Sequence, residues 1–282
     1  MPETAQPSHA PVISPAAGMR EEITPLILTY NEAPNLRRTL SRLTWAAQVV
    51  VVDSFSTDET VEIARAFPQV TVVQRPFDLH AGQWNFGVDL CRSPWVLALD
   101  ADYLLSDGLI SELQNWEPRP DVNAYFCKFI YCVFGRRLRA SLYPPRAILF
   151  RRDCCRYYQD GHTQLLRTEG RTGWLENVVF HDDQKPLAHW LSAQDRYALL
   201  EAQKLASSRP GELTVQDRIR RGVLFAPVLI VFYMLFGKAL ILDGWAGLYY
   251  VWQRTLVELL VSLRVLQARW TESSSDKNTA AA

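Results

Sequence analysis

The chain has 282 residues, 48% of them hydrophobic, enough for one large domain plus an appendage around a substantial core. Its 30 Lys and Arg balance its 30 Asp and Glu, so no net field favours nucleic acid and no such partner is expected. Five cysteines, an odd number with no Cys-x-x-Cys pair, fit a reducing cytosolic compartment better than a disulfide framework or a zinc site.

Residues 1–20 are rich in Pro, Ala and Ser and lack the basic region and apolar stretch of a secretory signal, so a disordered leader is expected there. From Ile23 the pattern becomes regular. Pro25 to Thr29 reads as a short strand, and Leu36, Leu40 and Leu43 at helical spacing read as the helix that follows. Gln48 to Val52 is a second, β-branched strand that stops at Asp53. Ser56 with Glu59 three residues on has the form of a capping box ahead of Val61 and Ala64. Val70 to Val73 gives a third strand, the polar stretch from Asp78 to Asn85 leads into another short helix, and Trp95 to Leu99 gives a fourth strand. Strands alternating with helices imply an α/β fold with parallel pairing. No Gly-x-Gly-x-x-Gly follows any of these strands, so the dinucleotide-binding form has no support.

The fourth strand ends in Leu99-Asp100-Ala101-Asp102. Open α/β sheets bind ligands at the carboxyl ends of their strands, and alternation along an extended chain puts both acids on one side, suited to a divalent cation held against a diphosphate. The same spacing occurs in ordinary turns, where short acids favour bends, so the weight of the motif comes from its place in the strand series.

Between Tyr125 and Phe180 the apolar stretches shorten and aromatic residues and charged turns enter, predicting strands and loops packed beside the parallel sheet. After His181 the chain is helical in character from Leu191 to Leu205, until Pro210-Gly211 closes a domain of residues 21–210. Arg218, Arg220 and Arg221 then precede Val223 to Phe236, which is nearly free of polar side chains. That stretch is roughly 14 residues long, or about 20 if Lys238 snorkels, between the lengths of an embedded and a spanning helix. Leu256, Leu259, Leu260, Leu263 and Leu266 repeat at helical spacing with Arg254, Glu258 and Arg264 between them, an amphipathic pattern. Residues 211–270 are therefore expected as membrane-associated helices, single-pass or lying in the interface, with the arginines on the cytoplasmic side of the plasma membrane. Burial of both helices in a soluble core is the alternative. Residues 271–282 are expected as a loose tail.

Thr29-Tyr30-Asn31-Glu32, Val51 to Asp58 and Leu99 to Asp102 together resemble glycosyltransferase family 2, inverting enzymes with the nucleotide-sugar (GT-A) fold, a Rossmann-like, mostly parallel sheet flanked by helices. Gln83, Tyr143-Pro144-Pro145-Arg146, His162, Phe180-His181 and Leu242 to Gly247 make the chain look most like the bacterial lipopolysaccharide-core and exopolysaccharide members. The resemblance runs from about Ile23 to about Gly247.

It implies that Thr29, Asn31, Glu32 and Asp53 contact the donor's nucleoside, and that Asp100 and Asp102 meet ribose, diphosphate and a magnesium or manganese ion, with His181 completing a manganese shell. Arg75, Gln83 and Asn85 would reach phosphate or sugar, although polar residues capping a helix read the same way. Arg146 would clamp diphosphate with its planar fork. Inversion also needs a general base. Relatives carry Val-His-Glu where this chain has Gly161-His162-Thr163, so that acid is missing, and Asp160 is the first substitute, followed by Asp182 and His162. Tyr103 likewise stands where relatives often have Glu. The resemblance thus implies metal-dependent transfer from a nucleotide sugar to a lipopolysaccharide, exopolysaccharide or lipid-linked glycan. A nucleotidyltransferase and a catalytically inactive membrane scaffold are the alternatives.

Overall fold

The computed structural model describes residues 22–160, 163–209, 211, 213–223 and 225–279. The expected leader lies outside them. The chain begins as Ile23–Thr29 (β1), Ala33–Ser41 (α1), Val49–Asp53 (β2), Thr60–Arg65 (α2), Val70–Gln74 (β3), His80–Leu90 (α3) and Trp95–Asp100 (β4). β1 to β4 pair in parallel in the order β3-β2-β1-β4. Val49 to Val52 and Val96 to Leu99 are buried throughout, because helices cover both faces of these strands, and so they read as continuous apolar runs rather than alternating ones. Leu36, Leu40 and Leu43 turn the buried side of α1 and its exit onto one face. On the other face α3 approaches β1 so closely at Gly87 that a Cβ there would lie 2.5 Å from the Leu26 side chain.

Beyond β4 come Tyr103–Leu105 (β5), Asp107–Gln114 (α4), Val122–Val133 (β6), Arg136–Arg137 (β7), Arg146–Arg151 (β8), Cys155–Asp160 (β9), Thr163–Thr168 (β10) and Arg171–His181 (β11). The sequence places the 125–180 region beside the sheet; instead β8, β6, β11 and β5 extend it, in the order β3-β2-β1-β4-β8-β6-β11-β5. Among the described residues only β9 and β10 pair outside this sheet, as an antiparallel two-stranded unit. The extension is invisible to periodicity because it rests on pairings between distant segments, such as Trp95 with Arg151 and Ala124 with Phe150. Its strand directions matter. β6 and β11 run with β1 to β4, while β5 and β8 run against them. β7 pairs antiparallel with the end of β6, so the carboxyl ends of six strands and the amino ends of three share one edge.

The remaining elements are Leu187–Ser207 (α5), Val215–Arg221 (α6), Ala226–Phe232 (α7), a π turn over Tyr233–Gly237, a 3-10 turn over Leu240–Asp243, and Gly244–Thr279 (α8). α5 packs with the helices after it through Ala198, Ala202, Leu205, Leu213, Val223, Val261 and Val265. Arg220 is folded inward. It meets Glu258 at 2.6 Å and Glu201 at 3.1 Å, with all three side chains 14% exposed or less, and so ties α5, α6 and α8 together. Within residues 271–282, expected as a loose tail, α8 continues to Thr279, and no Gly or Pro interrupts it. Among the described residues no single helix is long and apolar enough to cross a membrane. Residues 226–237 and 240–270 satisfy length and composition only as a pair bent by 71°. The break between them holds Ala239, φ 54°, in the left-handed region, and Gly244, φ 61°, follows at the start of α8.

Candidate active site

The shared edge collects almost every residue singled out in the sequence. β1 ends at Thr29, β2 at Asp53, β4 at Asp100 and β11 at His181, and antiparallel β8 begins there at Arg146. Asp53 is fully buried, and its carboxylate accepts from Thr29 Oγ1 at 3.0 Å, Ser56 N at 2.9 Å, Gln74 Nε2 at 3.0 Å and the Ser56 hydroxyl. It organises the loops after β1, β2 and β3. The Ser56 hydroxyl, spent on Asp53 and on the Asn31 backbone N–H, caps no helix, so the expected capping box does not form. Asn31, at φ 55°, accepts from Thr57 N at 2.8 Å and completes the lock between the two loops.

Arg75 donates to Asp78 and to Gln83, and Gln83 donates back to the Arg75 carbonyl and to Ser54 Oγ at 2.9 Å. The arginine contact holds the Asp78 carboxyl down at about 2. Asn85 faces elsewhere, exchanging two 2.9 Å bonds with the Tyr157 backbone and so seating the β9–β10 hairpin on α3. Arg75 and Gln83 line the β3 end of the edge, whereas Asn85 serves packing.

Asp100 and Asp102 flank the turn between β4 and β5. Asp102 is buried, with Oδ2 3.0 Å from His181 Nε2, while its Oδ1 and the His181 Nδ1 are buried without hydrogen-bond partners. Burial opposes ionisation of both groups, but their mutual attraction wins, holding the Asp102 carboxyl down at about 2 and raising the His181 imidazole. His181 stands among the rings of Tyr143, Tyr131 and Tyr103, with centroids 4.5, 4.8 and 5.4 Å away. Burial first, and the neighbouring Asp100 carboxylate second, raise the Tyr103, Tyr143, Tyr157 and Tyr197 phenols, so Asp100 sits amid four neutral hydroxyls. Arg146 lies over the Tyr143 ring at 5.3 Å, and its buried Nε has no partner.

Lys185 is a site residue the sequence did not reveal. Its Nζ meets Glu32 Oε1 at 2.6 Å, and Glu32, Asp102 and Asp183 hold the ammonium charged against the cost of burial. The polar run His181-Asp182-Asp183-Gln184-Lys185 at the end of a strand was the available signal. Asp182, a candidate base, is committed elsewhere. Its side chain is 5% exposed and accepts from Arg38 at 2.7 Å, Gly135 N at 3.1 Å and Gln184 Nε2 at 3.2 Å, bracing the segment after β11 against α1. Asp160 ends β9 opposite Thr163. His162 lies outside the described residues.

No three His, Cys, Asp or Glu side chains among the described residues form a ready-made cation cage. A cation shared with a diphosphate does not require one, since magnesium takes one or two carboxylates and completes its shell with phosphate and water. The unpartnered buried oxygen of Asp102 and the unpartnered imidazole nitrogen of His181 are of the donor types such an ion takes.

Residues 26–171 match the family model described as glycosyl transferase family 2. A protein of Rickettsia bellii (strain RML369-C), described as an uncharacterized glycosyltransferase, is 30% identical over 166 residues, 58% of this chain and 55% of its own length. The lipopolysaccharide core biosynthesis glycosyltransferase LpsC of Rhizobium meliloti (strain 1021) is 30% identical over 91 residues, covering 31% of this chain and 34% of that protein. The structure of S. aureus TarS residues 1–349 in complex with UDP-GlcNAc superimposes with a TM-score of 0.46 at 14% identity, covering 84% of this chain and 90% of that one. The chain spans about half the length of the Rickettsia relatives it matches.

Proposed function

The chain belongs to glycosyltransferase family 2, and on that premise we propose that it moves a sugar from a nucleotide-sugar donor, with inversion at the anomeric carbon, onto a lipopolysaccharide, exopolysaccharide or lipid-linked glycan. The observation that carries the reading is the convergence of Asp100, Asp102, Arg146, His181 and Lys185 on one sheet edge, with Asp102 Oδ1 left unpartnered. The likeness to the lipopolysaccharide-core protein supports the acceptor class.

In this reading the loops locked by Asp53 receive the nucleoside through Thr29, Asn31 and Glu32, with Arg75 and Gln83 at their border. Asp100 and Asp102, with His181 as a nitrogen donor, would hold a magnesium or manganese ion. That ion would offset the negative charge that grows on the departing diphosphate. Arg146 and Lys185 add fixed positive charge at the same place and need no reorganisation to act. The Tyr103, Tyr143 and Tyr131 phenols keep the His181 ring oriented and exclude water from one side of it. Asp160 is the base that takes the acceptor hydroxyl's proton, with His162 next in line and Asp182 set aside by its three partners. The cytoplasmic face of the plasma membrane is the proposed location.

The test is turnover. The purified chain with membrane lipid extract is offered a panel of nucleotide sugars with manganese, reading nucleoside diphosphate release and the mass of the glycan formed. One donor should give release coupled to a mass increment, and Asp102→Ala should abolish both. Equal release by that variant would remove the assigned site.

A further inference from the structure

The helices after α5 present an apolar surface that the catalytic reading does not use. Phe225, Val228, Leu229, Phe232, Tyr233 and Phe236 are all exposed, at spacings i, i+3, i+4, i+7, i+8 and i+11, so they form one stripe along α7 and its π turn. The opposite side of this limb is buried, with Met234 and Leu240 packed against Val133, Leu138 and Tyr250. After the bend the surface continues through Leu242, Trp245, Leu248 and Trp252. Half-exposed side chains of this size sum to roughly 1,000 Å², well beyond the few hundred Å² a soluble monomer ordinarily shows water.

The rim of this surface is cationic and aromatic. The turn between β6 and β7 brings the exposed Phe134 ring to 5.2 Å from Tyr249 and 6.1 Å from Trp245, and the Arg136 guanidinium lies 5.4 Å over the Trp245 ring. Arg137 lies over Phe180 at 4.1 Å, and the Lys238 ammonium is 5.7 Å from the Tyr233 ring at the bend. The acid within the stretch, Asp243, is 10% exposed and neutralised by Arg139 at 2.7 Å. An apolar face edged by cations and amphipathic rings, with its acid withdrawn, complements the acyl chains and anionic phosphates of a lipid leaflet.

We infer that the α7–α8 bend and the β6–β7 turn seat this chain in one leaflet of an anionic membrane, lying in the plane of the interface without crossing it. Among the described residues neither limb alone is long and apolar enough to span, and both turn apolar faces outward. The packed rings of His181, Tyr131 and Tyr250, with centroids 4.8 and 4.6 Å apart in succession, join the sheet edge to the buried side of α8. A seated α8 therefore holds the reaction site beside the lipid surface, and an acceptor with an apolar anchor reaches the site by moving along the membrane.

The experiment is co-sedimentation of the full chain with phosphatidylcholine vesicles, with and without phosphatidylglycerol. The wild type should bind the anionic vesicles and be released by high salt only in part. Phe232→Ser with Phe236→Ser should weaken binding by about tenfold or more, since each removes a ring from lipid. Arg136→Glu with Arg137→Glu should weaken binding to anionic vesicles while leaving that to neutral ones unchanged. All four side chains are exposed or at the rim, and nucleotide-sugar binding measured in detergent should stay at the wild-type level, so failure here is separable from failure of the catalytic reading. Protease added outside sealed vesicles should leave no fragment protected in the lumen. A luminal fragment, salt-insensitive equal binding by both variants, or a stable dimer that covers the same face in vesicle-free buffer would each overturn the inference.

Discussion

Arg38 is the residue whose removal separates a brace from a base. Its guanidinium donates to Asp182 Oδ2 at 2.7 Å, to the Asp182 carbonyl at 2.7 Å and to Asn35 Oδ1 at 3.1 Å. Arg38→Met would leave Asp182, 5% exposed, with only the neutral donors Gly135 N and Gln184 Nε2. Breaking a buried pair costs about 3–5 kcal/mol; because the Arg38 side chain is 30% exposed and two donors remain, about 2–3 kcal/mol is expected. For a chain of this size that is a fall in Tm of about 4–10 °C. Asp182→Asn should cost less. The double variant should be destabilised by about 1 kcal/mol less than the sum of the two, because removing the charge relieves the group left unpaired. Differential scanning calorimetry measures all three. Below its Tm, Asp182→Asn should transfer sugar within about tenfold of wild type, whereas loss of a general base costs about 10²–10⁴-fold. A well-folded Asp182→Asn protein with a loss in that higher range would refute the structural assignment and make Asp182 the base.

Three other perturbations test separate parts of the structure. Gly247→Ala places a Cβ 2.0 Å from the Leu240 backbone carbonyl, which no rotamer change relieves, so about 1–3 kcal/mol of stability and the shape of the bend should be lost; circular dichroism melts and vesicle binding read both. In metal-free protein the Asp102–His181 pair should stabilise most between about pH 4 and 6.5. Asp102, depressed to about 2, gives up its contribution as pH falls below 4, and His181, raised, gives up its own as pH rises through its folded value. Urea midpoints of wild type and His181→Gln across pH 2 to 9 should therefore draw together toward both ends. Burial pushes the Cys91 and Cys127 thiols up to about 12 and Cys132 and Cys155 to about 11, so native protein should react with a disulfide probe at Cys154 first and at the others only after unfolding.

β1 to β4 and the acids at their ends were legible because each strand is a local run with its own turn signal. β6, β8 and β11 were not recognised as parts of the same sheet, since nothing local in Tyr125 to Phe180 reports which distant strand it will join. The side-chain assignments divide along a similar line. Asp100 ends β4 as its place in the strand series implies, whereas Asp102 lies in the turn that follows, so the alternation of an extended chain does not set its direction. The resemblance gives Asp53 a nucleoside contact and Asp182 a candidate base role, yet partners from other segments, Thr29 and Gln74 for Asp53 and Arg38 and Gly135 for Asp182, surround them. Lys185 escaped notice for the reverse reason. A lysine in a polar run looks solvated until the fold sets Glu32, Asp102 and Asp183 around it.

The central claim is that the donor's diphosphate is held at Asp100 and Asp102. Isothermal titration with uridine, guanosine, cytidine and thymidine diphosphates, each with and without manganese, measures it directly on wild type and Asp102→Asn. At least one nucleotide should bind wild type with an affinity that manganese strengthens, and Asp102→Asn should lose most of that strengthening while keeping its Tm within a few degrees. Manganese-strengthened binding of equal affinity in the variant, or no binding of any of the four to the wild type, would contradict the account.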